Sequence, residues 1–275
     1  MSFFLDEDKK EIENTRLNSG FCIIVDIKDS TKRKINIPNW KIHTKTIYNA
    51  FLKLIDSITD NCNNCSNRCE LSNKDMVKNL EKIMCKFTGD GGVAFLLTKN
   101  TNNNILSWCI LNNIYQYINE IKDKELNELL DFLNIKFIIT YLTEIYIYSN
   151  EENNFKDVMG RGMDFSFRIE KYSAPTHITI NKLFFNNIKE FLKNKNKNIN
   201  KNNFSYIQYR KNIKGWNNPQ IFYLITNEEL FSDTIETIIP SEDGDVNIEL
   251  LKKFVKINGQ EIIDENLNKK GINNE

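Results

Sequence analysis

The stretch Lys86-Phe87-Thr88-Gly89-Asp90-Gly91-Gly92 constrains the fold more than any other. It separates two short apolar runs, Ile83-Met84-Cys85 and Val93-Ala94-Phe95-Leu96-Leu97. The simplest local structure is strand, glycine turn, strand. A hairpin of this kind puts Asp90 at its tip among backbone N–H groups. Glycines beside it let a bulky anion approach, and a carboxylate held there suits a divalent cation carrying phosphates. A Gly-Asp-Gly turn also occurs as nothing more than a hairpin turn. A second carboxylate upstream changes the balance.

That carboxylate is Asp26. Gly20-Phe21-Cys22-Ile23-Ile24-Val25 is a continuous apolar run, short enough for a buried strand, and it ends in Asp26-Ile27-Lys28-Asp29-Ser30-Thr31. Two carboxylates a few ångströms apart repel in a low dielectric and stay ionised only beside cations. Two divalent ions would meet that need and would clamp the attacking and leaving oxygens of a phosphoryl transfer. Backbone N–H groups running into Ser30-Thr31 at a helix start can cradle a triphosphate. The bland alternative makes Asp26 a helix-side cap.

The rest of the chain supplies a frame. Trp40 to Thr59 reads as a helix, with Ile47, Phe51, Leu54 and Ile58 on one face. Ile105 to Ile121 is a second, extended by Glu125 to Leu133. Ile135 to Tyr148 is β-branched and aromatic and reads as a long strand. Glu151 to Gly162 reads as a polar loop, Met163 to Tyr172 as a helix, Ile178 to Ile180 as a strand and Lys182 to Leu192 as a helix. Phe204 to Ile213 and Gln220 to Ile225 are two closing strands, joined by the turn Lys214-Gly215-Trp216-Asn217-Asn218-Pro219. Lys193 to Asn203 reads as a solvated hairpin tip. This order predicts an α+β, ferredoxin-like sandwich: a mainly antiparallel sheet with helices packed on one face. Residues 1–19 are expected to form a leader, 20–226 the main domain, and 227–275 a partly disordered appendage.

Composition excludes more than it identifies. The chain has 275 residues, with 37 basic and 37 acidic side chains. A zero net charge gives no electrostatic case for nucleic acid or a membrane surface. No apolar run approaches a membrane span, and the N-terminus lacks signal-peptide character, so a cytoplasmic location is expected. Cys22, Cys85 and Cys109 sit in apolar surroundings and read as small core residues. Cys62, Cys65 and Cys69 fall in a polar stretch from Asn61 to Asn73. They offer three thiolates, one short of a closed zinc site, with His43 or a partner's cysteine as a fourth. The alternative is a surface loop with reduced thiols.

Phe21 to Thr31 resembles the first metal motif of class III nucleotidyl cyclases: apolar strand, Asp, Ile, two residues, Ser-Thr. Lys86 to Gly91 resembles the second motif. Asp157-Val158-Met159-Gly160 through Arg168-Ile169-Glu170 resembles the third. Ala174-Pro175 before Ile178-Thr179-Ile180, and Lys214-Gly215 near the last strands, are similar to later segments. The resemblance covers Gly20 to about Ile225 and implies the class III cyclase catalytic fold. It implies that Asp26, Ile27 and Asp90 hold two Mg²⁺ or Mn²⁺ ions. These would activate the ribose 3′-hydroxyl for attack on the α-phosphate, with pyrophosphate departing. Ser30 and Thr31 would lie along the triphosphate, Lys86 and Asp157 would read the base, and Arg168 would serve as the transition-state arginine. The resemblance further implies a head-to-tail homodimer, one chain giving the metal carboxylates and the other Lys86, Asp157 and Arg168.

Two positions depart from the family pattern. Asp164 stands where family members usually carry a ribose-orienting Asn; pairing with Arg161 or Arg168 would relieve its charge. Trp216 replaces a second basic residue, leaving Lys214 to meet phosphates. The Lys86–Asp157 pair serves adenine, uracil or cytosine equally. A pyrimidine would need Tyr48 or Phe87 to fill the space a purine occupies. The segment Asp164-Phe165 to Arg168-Ile169-Glu170-Lys171-Tyr172 resembles the stand-alone bacterial pyrimidine cyclases of antiphage defence. Those make cyclic UMP or cyclic CMP for an effector, which puts UTP ahead of CTP here. The alternatives are an adenylate cyclase, a non-catalytic nucleotide-binding regulator of the same fold, and a zinc-organised interaction module.

Overall fold

A computed structural model describes residues 18–27, 40–63, 80–98, 102–123, 135–150, 155–173, 177–194, 204–227 and 255–256. Strand β1 (Asn18–Ile27) is followed by helix α1 (Trp40–Asn63) and the hairpin β2 (Leu80–Phe87) and β3 (Gly91–Thr98). Helix α2 (Asn103–Asp123), strand β4 (Ile135–Asn150) and strand β5 (Phe155–Met159) come next. Helix α3 (Arg161–Ile169) continues into a 3₁₀ turn, Glu170–Tyr172. Strand β6 (Ile178–Asn181), helix α4 (Lys182–Asn194) and strands β7 (Phe204–Lys211), β8 (Gln220–Asn227) and β9 (Val255–Lys256) complete the chain.

The sheet runs β2-β3-β1-β4-β6-β8-β7-β9, with β5 paired to β4 alone. Every pairing is antiparallel except β4 with β6. Its first half has the strand order of a ferredoxin-like unit, and the α+β expectation holds. Three differences are informative. Phe155–Met159 is a strand where the sequence reads as loop: it is short, carries two charges, and pairs on one side only. The first helix runs on to Asn63, so it takes in Cys62. The helices also divide between the two faces of the sheet.

That division follows from the two-residue period of the strands. On β1, Phe21, Ile23, Val25 and Ile27 face a core shared with α1, α2 and α4. Cys22 and Ile24 face the opposite way, into a core with Met163, Phe165 and Ile169 of α3. Asp26 continues this second set by alternation, and so does Lys136 beside Ile138 on β4. Helix α3 is fastened there by a buried hydroxyl pair: Ser166 Oγ lies 2.5 Å from Thr140 Oγ1 of β4. Burial pushes the adjoining Cys22 thiol up to about 12, which leaves it inert.

The hairpin expectation also holds. The Thr88 N–H bonds Gly91 O at 3.1 Å, and Gly89 takes φ +96°, a conformation that glycine adopts without strain. At Gly91 the reason for glycine is proximity: a Cβ there would sit 1.9 Å from Val25 O of β1. Gly91→Ala is therefore expected to force β1 and β3 apart and to cost about 2–3 kcal/mol, the price of overpacking. Urea denaturation measures it; an unchanged midpoint would contradict the close approach.

Candidate active site

Two clusters of charged side chains lie on the α3 side of the sheet. The first is a carboxylate corner. Asp26, last but one in β1, is the register partner of Gly91 on β3 and of Lys136 on β4. Asp90 immediately precedes Gly91, so the two aspartates reach one corner from neighbouring strands. Glu170, just past α3, joins them: Lys136 Nζ donates to Glu170 Oε1 at 2.8 Å and lies 3.6 Å from Asp26 Oδ2. Burial pushes the Asp26 carboxyl up to about 6, and the Glu170 and Asp90 carboxylates push the same way against the pull of Lys136. Burial opposes the charge of Lys136 too, but its bonds to Glu170 and Asp26 hold its pKa above the usual lysine value.

The donor chemistry of this corner fits a divalent cation. Among the described residues, Asp26 has two carboxylates and one ammonium around it, and hard carboxylate oxygens suit Mg²⁺ or Mn²⁺. The Ile27 side chain is buried in the opposite core, so only its main chain is available at the corner. Among the described residues no group of three or more His, Cys, Asp or Glu has metal-binding geometry.

The second cluster lines a cavity of about 510 Å³ under the β4–β5 ribbon. Lys86 Nζ donates to Asp157 Oδ2 at 2.8 Å, and Asp157 Oδ1 accepts the Val158 N–H at 2.8 Å. Burial pushes Asp157 up, but these bonds outweigh it and hold its carboxyl below the usual range. Met84, Val93, Met159, Met163 and Phe167 form apolar walls, and Arg161 and Asp164 reach the same space. Neither Asp26 nor Asp90 is among the lining residues. Tyr48 and Phe87 are not either; their rings pack on each other with centroids 5.1 Å apart.

Arg168 is exposed on α3, with its guanidinium 5.9 Å from the centre of the Trp216 ring. Lys214 is exposed in the turn before Trp216. Asp164 makes no ion pair with Arg161 or Arg168 among the described residues, because both guanidiniums turn to Trp216 instead. Ser30, Thr31 and the Ala174-Pro175 segment lie outside the described residues, as do Cys65 and Cys69. Cys62 is not in a loop: it is buried in α1 against Cys109 of α2, so it cannot join a surface zinc site with its neighbours. Lys136 escaped the sequence reading, although a lysine flanked by apolar residues in a long buried strand is a signal in itself. Glu170 was visible within the third motif but carried no role there.

No family model matches the chain, and no curated protein matches it. Solved structures do. The guanylyl cyclase Cya2 aligns with a TM-score of 0.51 at 13% identity, over 77% of this chain and 93% of that one. The adenylyl cyclase CyaB from P. aeruginosa gives 0.48 at 13% identity, over 78% and 96%. The guanylate cyclase domain of RhGC from Catenaria anguillulae, in complex with GTP, gives 0.46 at 15%, over 77% and 97%. The mixed, mainly antiparallel sheet and the likeness to Cya2 show that this chain has the fold of a class III cyclase catalytic domain. Among the described residues no helix is long and apolar enough to cross a membrane.

Proposed function

We propose that the chain is a nucleotidyl cyclase. It converts a nucleoside triphosphate, with UTP favoured, to a 3′,5′-cyclic nucleotide and pyrophosphate. The observation that carries this reading is the meeting of Asp26 and Asp90, from adjacent strands, at one corner where burial and neighbouring carboxylates raise the Asp26 carboxyl. Asp26, Asp90 and the main chain at Ile27 would hold Mg²⁺ or Mn²⁺, which when bound lowers the pKa of the ribose hydroxyl and offsets phosphate charge.

The chain's own residues divide the remaining work. Lys86 and Asp157 exchange their mutual bond for bonds to the edge of the base. Asp164, in the same cavity, meets the ribose hydroxyls. Arg168 and Lys214 offset charge on the phosphates as the 3′-oxygen bonds to the α-phosphorus and the bond to the β-phosphate oxygen breaks. Lys136 adds an ammonium at the carboxylate corner. The cavity and that corner do not share lining residues, which supports a head-to-tail homodimer with each site built from two chains. Exposed Tyr146, Tyr148, Met159 and Phe167 give the cavity side an apolar surface for a second copy to cover.

Three methionines in the cavity wall support the pyrimidine preference, since flexible side chains can close around a one-ring base. The α3 segment's resemblance to the pyrimidine cyclases supports a second-messenger role in antiphage defence, acting in the cytoplasm on an effector that binds the cyclic product. Purified protein with Mn²⁺ and each of ATP, GTP, UTP and CTP tests the reading. Cyclic UMP is the expected main product. Conversion of ATP alone would remove the pyrimidine preference, and conversion of none would remove the cyclase.

A further inference from the structure

Trp216 is the residue the family comparison leaves unexplained, and the structure gives it company. It projects from the turn between β7 and β8, closed by its own N–H donating to Ile213 O at 3.0 Å. Its ring meets Phe165 edge-on at 5.6 Å. The guanidiniums of Arg161 and Arg168 lie 5.1 Å and 5.9 Å from its centroid. Positions 161, 165 and 168 recur at spacings of four and three, so they form one stripe on α3. The indole therefore lies along that stripe, with an arginine toward each end and a phenylalanine between. Arg161 adds a second stitch, its Nη2 donating to Gly215 O at 3.3 Å.

An exposed arginine has many rotamers, and holding one costs entropy at the moment of use. An aromatic face offers a guanidinium a broad, flat seat without taking its hydrogen-bond donors. We propose that Trp216 is a positioning residue: it holds Arg168, and ties the Lys214-Gly215 turn to α3, so that both cations meet the polyphosphate of the substrate as one unit. This rests on the cyclase reading above. Where family members place another positive charge, this chain places the surface on which two existing charges are ordered.

The test is a cycle of Trp216→Leu, Trp216→Phe, Arg168→Ala and the double variant Trp216→Leu/Arg168→Ala, assayed with Mn²⁺ and the preferred triphosphate. Leucine keeps an apolar contact with Phe165 and removes the π face; phenylalanine restores a face. Trp216→Leu is expected to lower kcat about 10- to 100-fold with KM within about threefold, as loss of orientation alone does. Trp216→Phe should recover most of the loss. In the Arg168→Ala background, Trp216→Leu should cost much less than it does in the wild type, because only its hold on the Lys214 turn is left to lose. Product from the slow variants is read by mass spectrometry after long incubation. A full additional loss in that background, or a Trp216→Leu protein as active as wild type, would overturn the assignment. A wild-type protein that cyclises none of the four triphosphates would overturn the cyclase reading and this proposal together, an outcome distinct from active wild type with additive losses.

Discussion

Asp26→Asn is expected to lower cyclisation by about 10³-fold if, as proposed, it removes an anionic ligand where the reaction needs a held cation. The same change should make the metal-free protein more stable above pH 7. In the folded chain Asp26 titrates at about 6 because it is buried among carboxylates. In the unfolded chain it titrates near the ordinary carboxylate value. Between those two points the folded state keeps a proton that the unfolded state has lost. The stabilising contribution is thus complete below the unfolded value and is lost as pH rises through about 6. The loss amounts to roughly 2–3 kcal/mol, to order of magnitude. Asparagine has no proton to lose, so the stability gap between variant and wild type should open across this range. Mn²⁺ should reverse it for the wild type alone, and chiefly above pH 6, where the carboxylate is free to bind. Thermal melting across pH, with and without Mn²⁺, reads all of this. A wild type that gains stability relative to Asp26→Asn as pH rises would contradict the corner's electrostatics.

The second large effect is restoration. Asp26→Asn and Arg168→Ala are each expected to be nearly inactive. Mixed in equal amounts and allowed to exchange subunits, they should regain about a quarter of wild-type activity. Half of the dimers then carry one of each, and each mixed dimer has one site with both defects and one with neither. A mixture no more active than its components, with subunit exchange confirmed by mass, would mean that each chain closes its own site.

The fold was legible because β1 and β3 are short apolar runs beside glycines, β4 is β-branched and aromatic, and α3 and α4 are strongly amphipathic. The ferredoxin-like order of elements is one in which the strand ending at Asp26 and the hairpin at Asp90 can be neighbours, and they are. What escaped detection had a physical reason in each case. Phe155-Lys156-Asp157-Val158-Met159 pairs on one side only and carries two charges in five residues, so it lacks the apolar density by which β1 is recognised. Lys136 could not be assigned to the carboxylate corner until register put it opposite Asp26. Cys62 read as a loop residue because the next residues are polar; the helix end is set by packing against α2, which the local sequence does not encode. Trp216 read as a missing charge because its partners, Arg161 and Arg168, lie some fifty residues earlier.

One feature of the ribbon bears on how a base would enter. Strand β4 leaves the main sheet to pair with β5, and the ribbon returns far enough for Asp157 to reach Lys86 on β2, three strands away from β4. The ion pair thus ties the ribbon to the far strand of this half of the sheet, and under the proposed function the same two groups read the base. Its two side chains are 37% and 34% exposed, a setting in which such a bond is worth about 1 kcal/mol or less. On the proposed reading, a nucleobase that slips between the two side chains replaces this bond at small cost and bridges β5 to β2 in its place. The base would then take over a tie between β5 and β2 that the chain without nucleotide makes with its own side chains.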